Sequence, residues 1–313
     1  MQNKPGVGLR TQDFMIRLAE QQAGLALLWA GTLLVGWHPL VETYALSLHQ
    51  DEYTYILLIL PVAAALIFME WPSLRTKFEL GIRGGSALLT TAALIACSAH
   101  VWPGFLSSDV RLSILMVALV FSWIGVFTLC LGIRASRQAL FPLCFLFGLV
   151  PIPQFALNEI INWLQLGSAW AASLLFAICG VPVAQDGVLL IIPSLTMQVA
   201  QECSSIRSSS MLLVTTVVLA QLLLRSPWRK ALVIGLAVPL SVAKNGLRIF
   251  SIGMLGTRLD RGYLTGRFHH QGGIVFFAIA LITVFALLWI LRRGEDLSLI
   301  SELNTARAGT TGG

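Results

Sequence analysis

The sequence predicts an all-α membrane protein that crosses the bilayer about eight times. One amphipathic helix in the membrane interface and a small extracytoplasmic β-hairpin complete the predicted fold. Of the 313 residues, 56% are hydrophobic and only 12% are charged, whereas about a quarter of the residues in a soluble domain are charged. The mean hydropathy is +0.79. The apolar runs are about 20 residues long, the length that spans a bilayer as a helix.

Eight apolar segments are predicted to cross the membrane. They are 24–41, 55–71, 86–102, 112–131, 138–152, 205–224, 231–252 and 273–291. Cytoplasmic loops carry an excess of Lys and Arg. With a cytoplasmic N-terminus and alternating spans, one side collects Lys4, Arg10, Arg17, Arg75, Lys77, Arg83, Arg134, Arg137, Arg225, Arg229, Lys230, Arg292 and Arg293. Both termini are therefore predicted to be cytoplasmic, and the net charge of +6 reflects these loops rather than nucleic-acid binding.

The domain organisation follows from the same pattern. Residues 1–22 are polar and are predicted to be a cytoplasmic N-terminal segment, 23–293 a single transmembrane domain, and 294–313 a disordered cytoplasmic tail. The apolar segment 155–180 would disturb the alternation, because crossing there would place the basic residues at 225–230 outside. Its first half, 158–165, is amphipathic and contains a tryptophan. We therefore predict that 155–180 is an interfacial helix.

Residues 181–200 are predicted to form the outer hairpin. Gln185-Asp186-Gly187 is a turn signal between runs rich in Val, Leu and Ile. This hairpin would deliver the following residues, Cys203 among them, to the outer end of the sixth span.

Cys203 differs from the other four cysteines, which lie in apolar runs and are interpreted as buried hydrophobic side chains. Glu202 precedes it, serines follow it, and Arg207 lies four residues later on the same helical face. It also stands where a helix is predicted to begin, and the helix dipole there stabilises a thiolate. A chance cysteine in a serine-rich helix cap is the alternative. The cysteine spacing suits neither a zinc site nor a disulfide framework, so no cofactor or metal is predicted.

Further polar groups are predicted at the same outer depth. Arg248 lies near the outer end of the seventh span, and His269 and His270 come just before the last one. A charged side chain in a span usually faces a polar cavity or a partner, which makes Arg248 a functional candidate. The alternatives are an arginine that reaches the headgroups and a histidine pair that only forms hydrogen bonds. Their expected co-location with Cys203 favours a site.

Three motifs in order carry a resemblance to a known family. The run VAQECSSIR at 199–207 is followed by Asn245-x-x-Arg248-Ile249 and then by His269, four residues before Gly273. This pattern resembles the exosortase/archaeosortase family of polytopic membrane cysteine transpeptidases, and the similarity extends from about 53 to 291. The family usually has a small residue before the cysteine and Ser-Gly after it, where this chain has Glu202 and two serines.

The resemblance implies roles for these residues. Cys203 would be the nucleophile, Arg248 would hold the substrate carbonyl or its oxyanion, and His269 (or His270) would be the base. It implies secreted substrates with a C-terminal tag, a transmembrane helix and a basic tail, an unidentified surface acceptor, contact with membrane lipid, and an inner-membrane location. Glu202, Arg207 and Asn245 are expected to contact the substrate. Independently of the resemblance, Arg258, Arg261 and Arg267 lie in the outer loop 253–272 against the charge trend. They are expected to contact a carboxylate-bearing motif or anionic headgroups, with a tolerated short basic loop as the alternative.

Three other functions are weighed against this one. A transporter or channel would carry its charges in mid-span, whereas here they cluster at one rim. A membrane hydrolase would use the same residues and lack only the acceptor. A non-enzymatic assembly protein for polysaccharide export would leave the Cys, Arg and His set without a purpose.

Overall fold

The computed structural model describes residues 24, 26–74, 80–101, 104–193, 195–199, 206–258 and 267–310; side chains are described except at 258, 267–272 and 298–310. The chain divides into two compact units, Met1–Ala156 and Leu157–Gly313.

Helices dominate the first unit. They are α1 (Ala26–Val35), α2 (Trp37–His49), α3 (Ile56–Leu74), α4 (Ile82–Val101), α5 (Ser108–Gln138) and α6 (Leu140–Phe145), with 3-10 turns at Asp51–Tyr53 and Leu146–Leu149. The backbone of α5 breaks at Gly132, whose φ of 84° is open to glycine but strained for other residues. α4 packs so closely on α5 that a Cβ added at Gly85 would stand only 2.6 Å from Leu129 Cα. The absence of a side chain at Gly85 permits this approach.

The segment 138–152 runs antiparallel to α3 along its whole length. Gln138 Nε2 donates to Ser73 Oγ at 2.8 Å at one end, and Tyr53 Oη donates to the Ile152 carbonyl at 2.7 Å at the other. Between them, an added Cβ at Gly148 would stand 2.7 Å from Ile59 Cδ1. The segment is as long as the 19-residue helix α3 although it has fewer residues. The reason is that 3-10 and extended backbone rise more per residue than an α-helix.

The second unit holds four helices and one sheet. The helices are α7 (Gln154–Ile178, which begins just inside the first unit), α8 (Ile206–Leu223), α9 (Pro227–Arg258) and α10 (Arg267–Thr310). α8, α9 and α10 share an apolar core whose buried members are Leu212, Ala220, Leu224, Val233, Ala280, Val284 and Leu288. The helix order α8-α9-α10 follows the predicted sixth, seventh and last spans.

Within the described ranges, seven helices are long and apolar enough to cross a membrane. They are Asp51–Leu74, Ile82–Val101, Ser108–Gln138, Gln154–Ile178, Ile206–Leu223, Pro227–Thr257 and Gly273–Leu297. The predicted class, an all-α polytopic membrane protein with a small β element, is confirmed. The predicted spans 24–41 and 138–152 contain shorter apolar helices, Ala26–Val35 and Leu140–Leu149.

The segment 155–180, predicted to be an interfacial helix, is almost entirely helical. α7 is one continuous helix of 25 residues, and its second half runs in the same direction as α9. An added Cβ at Gly167 would stand 3.2 Å from Val242 Cγ1, and the Phe176 and Phe250 rings are 5.0 Å apart. α7 thus packs closely on α9 through glycines and is itself long and apolar enough to cross a membrane; the interfacial placement of 155–180 stays a prediction.

The outer hairpin is a three-stranded antiparallel sheet. Its strands are β1 (Ala184–Asp186), β2 (Leu189–Ile192) and β3 (Leu195–Gln198), in the order β1-β2-β3. The turn between β1 and β2 lies at the predicted signal, with Gly187 at φ 57°. A positive φ at the first residue of a two-residue loop suits glycine. The third strand was not predicted because 195–198 lacks a second turn signal of this strength.

The structure also differs from the expectation of a disordered tail, since α10 continues to Thr310. Glu295, 7% exposed, accepts hydrogen bonds from the backbone N–H groups of Arg225 and Ser226 at 3.0 and 2.8 Å. It thereby caps the start of α9 from a neighbouring helix. This buried contact holds α10 in helical form past residue 294, and the following residues are mostly compatible with a helix.

Candidate functional site

The predicted site residues fall into three groups in the structure. Arg207, Asn245 and Arg248 are described in full. The backbones of Arg258, Arg267, His269 and His270 are described, at the ends of α9 and α10. Glu202, Cys203 and Arg261 lie outside the described residues.

A polar stripe runs along α9. Ser241, Lys244, Asn245 and Arg248 stand at i, i+3, i+4 and i+7, a spacing that places them on one helical face. All four are buried, and Asn245 has no exposed surface. Buried polar groups in a span are costly unless they have partners or enclose a polar site. Four in succession therefore make this face a candidate functional surface.

The polar stripe meets the first turn of α8. Lys244 Nζ donates to Ser208 Oγ, and Ser241 Oγ donates to Ser209 Oγ at 2.5 Å. Ser208 is the third residue of α8, so these two bonds hold the beginning of that helix against α9. Cys203 precedes the start of α8 by three residues.

The start of α10 adjoins the same stripe. An added Cβ at Gly273 would stand 3.9 Å from Arg248 Nη1. His269 and His270 lie in the turn of α10 that precedes Gly273. The structure therefore brings Arg248 to the turn after the two predicted histidines.

Part of the sheet is buried together with residues of α7 and α9. Leu190 and Val199 are buried in one cluster with Ala169, Ala172 and Ile249, and Ile249 directly follows Arg248. Val199 N–H donates to the Val188 carbonyl at 2.9 Å, and Gln165 Nε2 donates to the Val199 carbonyl at 3.2 Å. The chain is thus held four residues before Cys203 as well as after it.

The remaining predicted substrate contacts lie around this centre. Arg207 is exposed on the first turn of α8. Arg258 is the last residue of α9 and Arg267 the first of α10, so both belong to the end at which Arg248 lies. Among the described side chains, no group of three or more His, Cys, Asp or Glu could hold a metal ion.

Lys244, Ser208, Ser209 and Ser241 were not singled out from the sequence. The signal was present, because Ser241, Lys244 and Arg248 repeat at helical spacing in an otherwise apolar helix. What the spacing does not disclose is the partner. Only the packed structure pairs Lys244 with Ser208.

One comparison with known proteins identifies a family. The family model described as transmembrane exosortase matches residues 46–286. Those residues include all of α3 to α9, the sheet, and the start of α10 with His269. No curated protein and no solved structure matches the chain. Since the match covers most of the 313 residues, the chain belongs to the transmembrane exosortase family.

Proposed function

We propose that this protein is a membrane cysteine transpeptidase that cleaves C-terminal sorting signals of secreted proteins and transfers the proteins to a surface acceptor. Membership of the exosortase family supports a transpeptidase or sorting role at a membrane in general. The observation that carries the proposal further is the burial of Asn245 and Arg248 where α8, α9 and α10 converge. Of the motif residues, Arg207 belongs to α8, Asn245 and Arg248 to α9, and the backbone of His269 to α10.

Chain length supports Cys203 as a neighbour of Arg248. Val199 packs with Ile249, and Ser208 bonds to Lys244. An extended chain advances at most about 3.6 Å per residue. Cys203 Cα therefore lies within roughly 14 Å of the Val199 Cα, whatever path the chain takes. Both anchors lie beside Arg248 on α9, so the chain length allows the Cys203 thiol to reach the guanidinium.

The proposed reaction has two halves. His269, or His270 in its place, takes the proton of the Cys203 thiol, and the thiolate attacks a peptide carbonyl of the sorting signal. Arg248 stabilises the oxyanion through its forked donors. As the C–N bond breaks, the histidine returns its proton to the leaving amine and a thioester remains. An acceptor amine then attacks the thioester carbonyl, the C–S bond breaks, and the amine proton returns to the thiol.

The substrate is proposed to be anchored beside the enzyme. A secreted protein with a C-terminal tag, one transmembrane helix and a basic tail would present its cleavage site at the rim of the helices. Glu202, Arg207 and Asn245 are proposed to contact the tag near the nucleophile. The arginines at 258, 261 and 267 would contact a carboxylate or anionic headgroups. The site faces the extracytoplasmic side of the inner membrane in this proposal, with both termini in the cytoplasm.

Co-expression with a tagged secretory protein tests the proposal. The wild type, Cys203→Ala and the control Cys179→Ala are compared by intact mass of the substrate. Cys179 is exposed at the end of α7 and stands outside the motifs. We expect a shortened product that carries an added acceptor mass, present with the wild type and Cys179→Ala and absent with Cys203→Ala.

Two results would contradict the proposal in different ways. A shortened product that ends in a free carboxylate would make the protein a hydrolase with the same nucleophile. Processing by Cys203→Ala at the wild-type rate would remove Cys203 from the reaction, and the cysteine mechanism with it.

A further inference from the structure

Lys244 is a buried cation that the proposed reaction does not use. It is 6% exposed and lies within Pro227–Thr257, a helix long enough to cross the membrane. Arg248, four residues later, puts a second positive charge on the same face, and like charges at this spacing repel. A buried ammonium is costly in a span. Helix stability alone therefore disfavours lysine here, and a function explains it better.

The partners of Lys244 and Ser241 are consecutive residues of α8. Lys244 binds Ser208, and Ser241 binds Ser209 at 2.5 Å. Two bonds from neighbouring residues to positions one turn apart on α9 fix both the distance and the rotation of the first turn of α8. The next serine behaves differently, since Ser210 Oγ donates to the Ile206 carbonyl of its own helix at 2.7 Å.

These bonds form one of two anchors on either side of residues 200–205. The other anchor is Val199, which the sheet, Gln165 and the cluster with Ile249 hold in place. Val199 is held by several contacts, and two hydrogen bonds hold the first turn of α8 on this face of α9. Loss of the Lys244 bond would therefore weaken the downstream anchor.

We infer that Lys244 is a positioning residue that, through Ser208, locks the first turn of α8 onto α9 and so sets where Cys203 reacts beside Arg248. This inference rests on the proposed function. Lys244 acts through α8 and need not touch the substrate. Its loss therefore lowers the rate of the chemical step and leaves substrate binding nearly unchanged, because misplacement by about 1 Å can lower a rate about 100-fold.

Matched substitutions test the link. Lys244→Met and Ser208→Ala remove it, while Ser210→Ala removes a hydroxyl from the same turn without touching α9. Lys230→Met removes the other lysine link between these helices, in which Lys230 Nζ donates to Gln221 Oε1 at 2.8 Å. We expect kcat to fall about 10- to 100-fold in the first pair with KM within about twofold. The two controls should keep the wild-type kcat.

An engineered disulfide separates positioning from chemistry. Ser209 Oγ and Ser241 Oγ are 2.5 Å apart, near the S–S bond length of about 2.05 Å. Ser209→Cys and Ser241→Cys are introduced together, with the cysteines at 97, 130, 144 and 179 replaced, and the bond is verified by intact mass. If Lys244 only positions α8, the oxidised pair restores kcat to Lys244→Met, and reduction removes the gain.

Three outcomes would overturn the inference. The first is an oxidised pair that is active with Lys244 but inactive in Lys244→Met, which would assign Lys244 to the chemistry itself. The second is a wild-type kcat in Ser208→Ala. This result overturns the inference even if Lys244→Met fails to insert into the membrane and cannot be measured. The third is a rise in KM with kcat unchanged. Failure of the proposed function is recognised separately, since it appears as full processing by Cys203→Ala with Lys244 intact.

Discussion

The two ends of the α8-α9-α10 group are both buried and polar, but their charges are arranged differently. At the start of α9, Glu295 accepts two backbone N–H bonds, and Arg229 Nη1 lies 4.0 Å from Glu295 Oε1 and donates to the Leu291 carbonyl at 2.7 Å. At the other end, Lys244 and Arg248 place two positive charges on one face of α9. The first end is a balanced closure that stabilises the fold. The second concentrates charge, as a site does.

The largest expected difference between the two ends is the side of the membrane on which each one lies. Asp186→Cys in the sheet and Arg292→Cys near Glu295 both replace exposed residues and are made in a chain whose own cysteines are replaced. We expect an impermeant maleimide to label Cys at 186 in intact cells and Cys at 292 only after permeabilisation. The reverse pattern would place the site end in the cytoplasm, as an additional crossing by α7 would require.

The next largest effect is expected at Arg248. Arg248→Lys keeps the charge and loses the planar fork that can hold an oxyanion with two donors. Processing should fall by about 100-fold or more, while the melting temperature of the purified protein stays near that of the wild type. Equal activity of the lysine variant would show that a point charge suffices and that the guanidinium geometry is not used.

At the opposite end, Glu295→Ala should have the complementary effect. Removal of this carboxylate leaves the N–H groups of Arg225 and Ser226 without their acceptor and Arg229 without its nearby charge. We expect a loss of about 3 kcal/mol in the free energy of unfolding, and activity per folded molecule should be retained. An inactive but equally stable variant would show that this end also takes part in function.

A smaller effect, on stability, is expected where α9 is closely packed and not where it is open. An added Cβ at Gly246 would stand 2.5 Å from Ala171 Cβ, whereas Gly235 has nothing within 4 Å. Gly246→Ala should therefore destabilise the fold by about 1–3 kcal/mol. Gly235→Ala should leave it unchanged or stabilise it by roughly 0.5–1 kcal/mol. Equal stability of the two variants would contradict the close packing of α7 on α9.

The sequence predicted much of the architecture, and the features that it left out share one cause. Hydrophobic run length identified the membrane class, and Asp186-Gly187 marked the turn of the sheet. The interfacial placement of 155–180, which stays a prediction, depended on counting charges across every preceding span, and such a count holds no information about how Gly167 and Gly246 pack. The tail was interpreted from its small polar composition, which holds no information about Glu295 reaching the start of α9.

The site shows the same division. The types and spacing of Cys203, Arg248 and His269 pointed to the family, because spacing along a chain is preserved in sequence. The choice between His269 and His270 as the base stays a prediction, and so does every role assigned to Cys203. These side chains lie outside those that the structure describes. Lys244 was overlooked because the role of a lysine in a helix can be assigned only once its partner is known. That partner, Ser208, lies 36 residues earlier in the chain.

By itself the sequence determined the membrane class, the approximate helices and the order of the reactive motifs, because these depend on composition and local periodicity. Only the tertiary structure decided that α7 runs with α9, that 138–152 follows α3, and that Lys244 and Ser241 hold the first turn of α8. The physical reason is that a buried polar or glycine position is stable only against a particular partner. That partner is selected by packing between residues far apart in the chain.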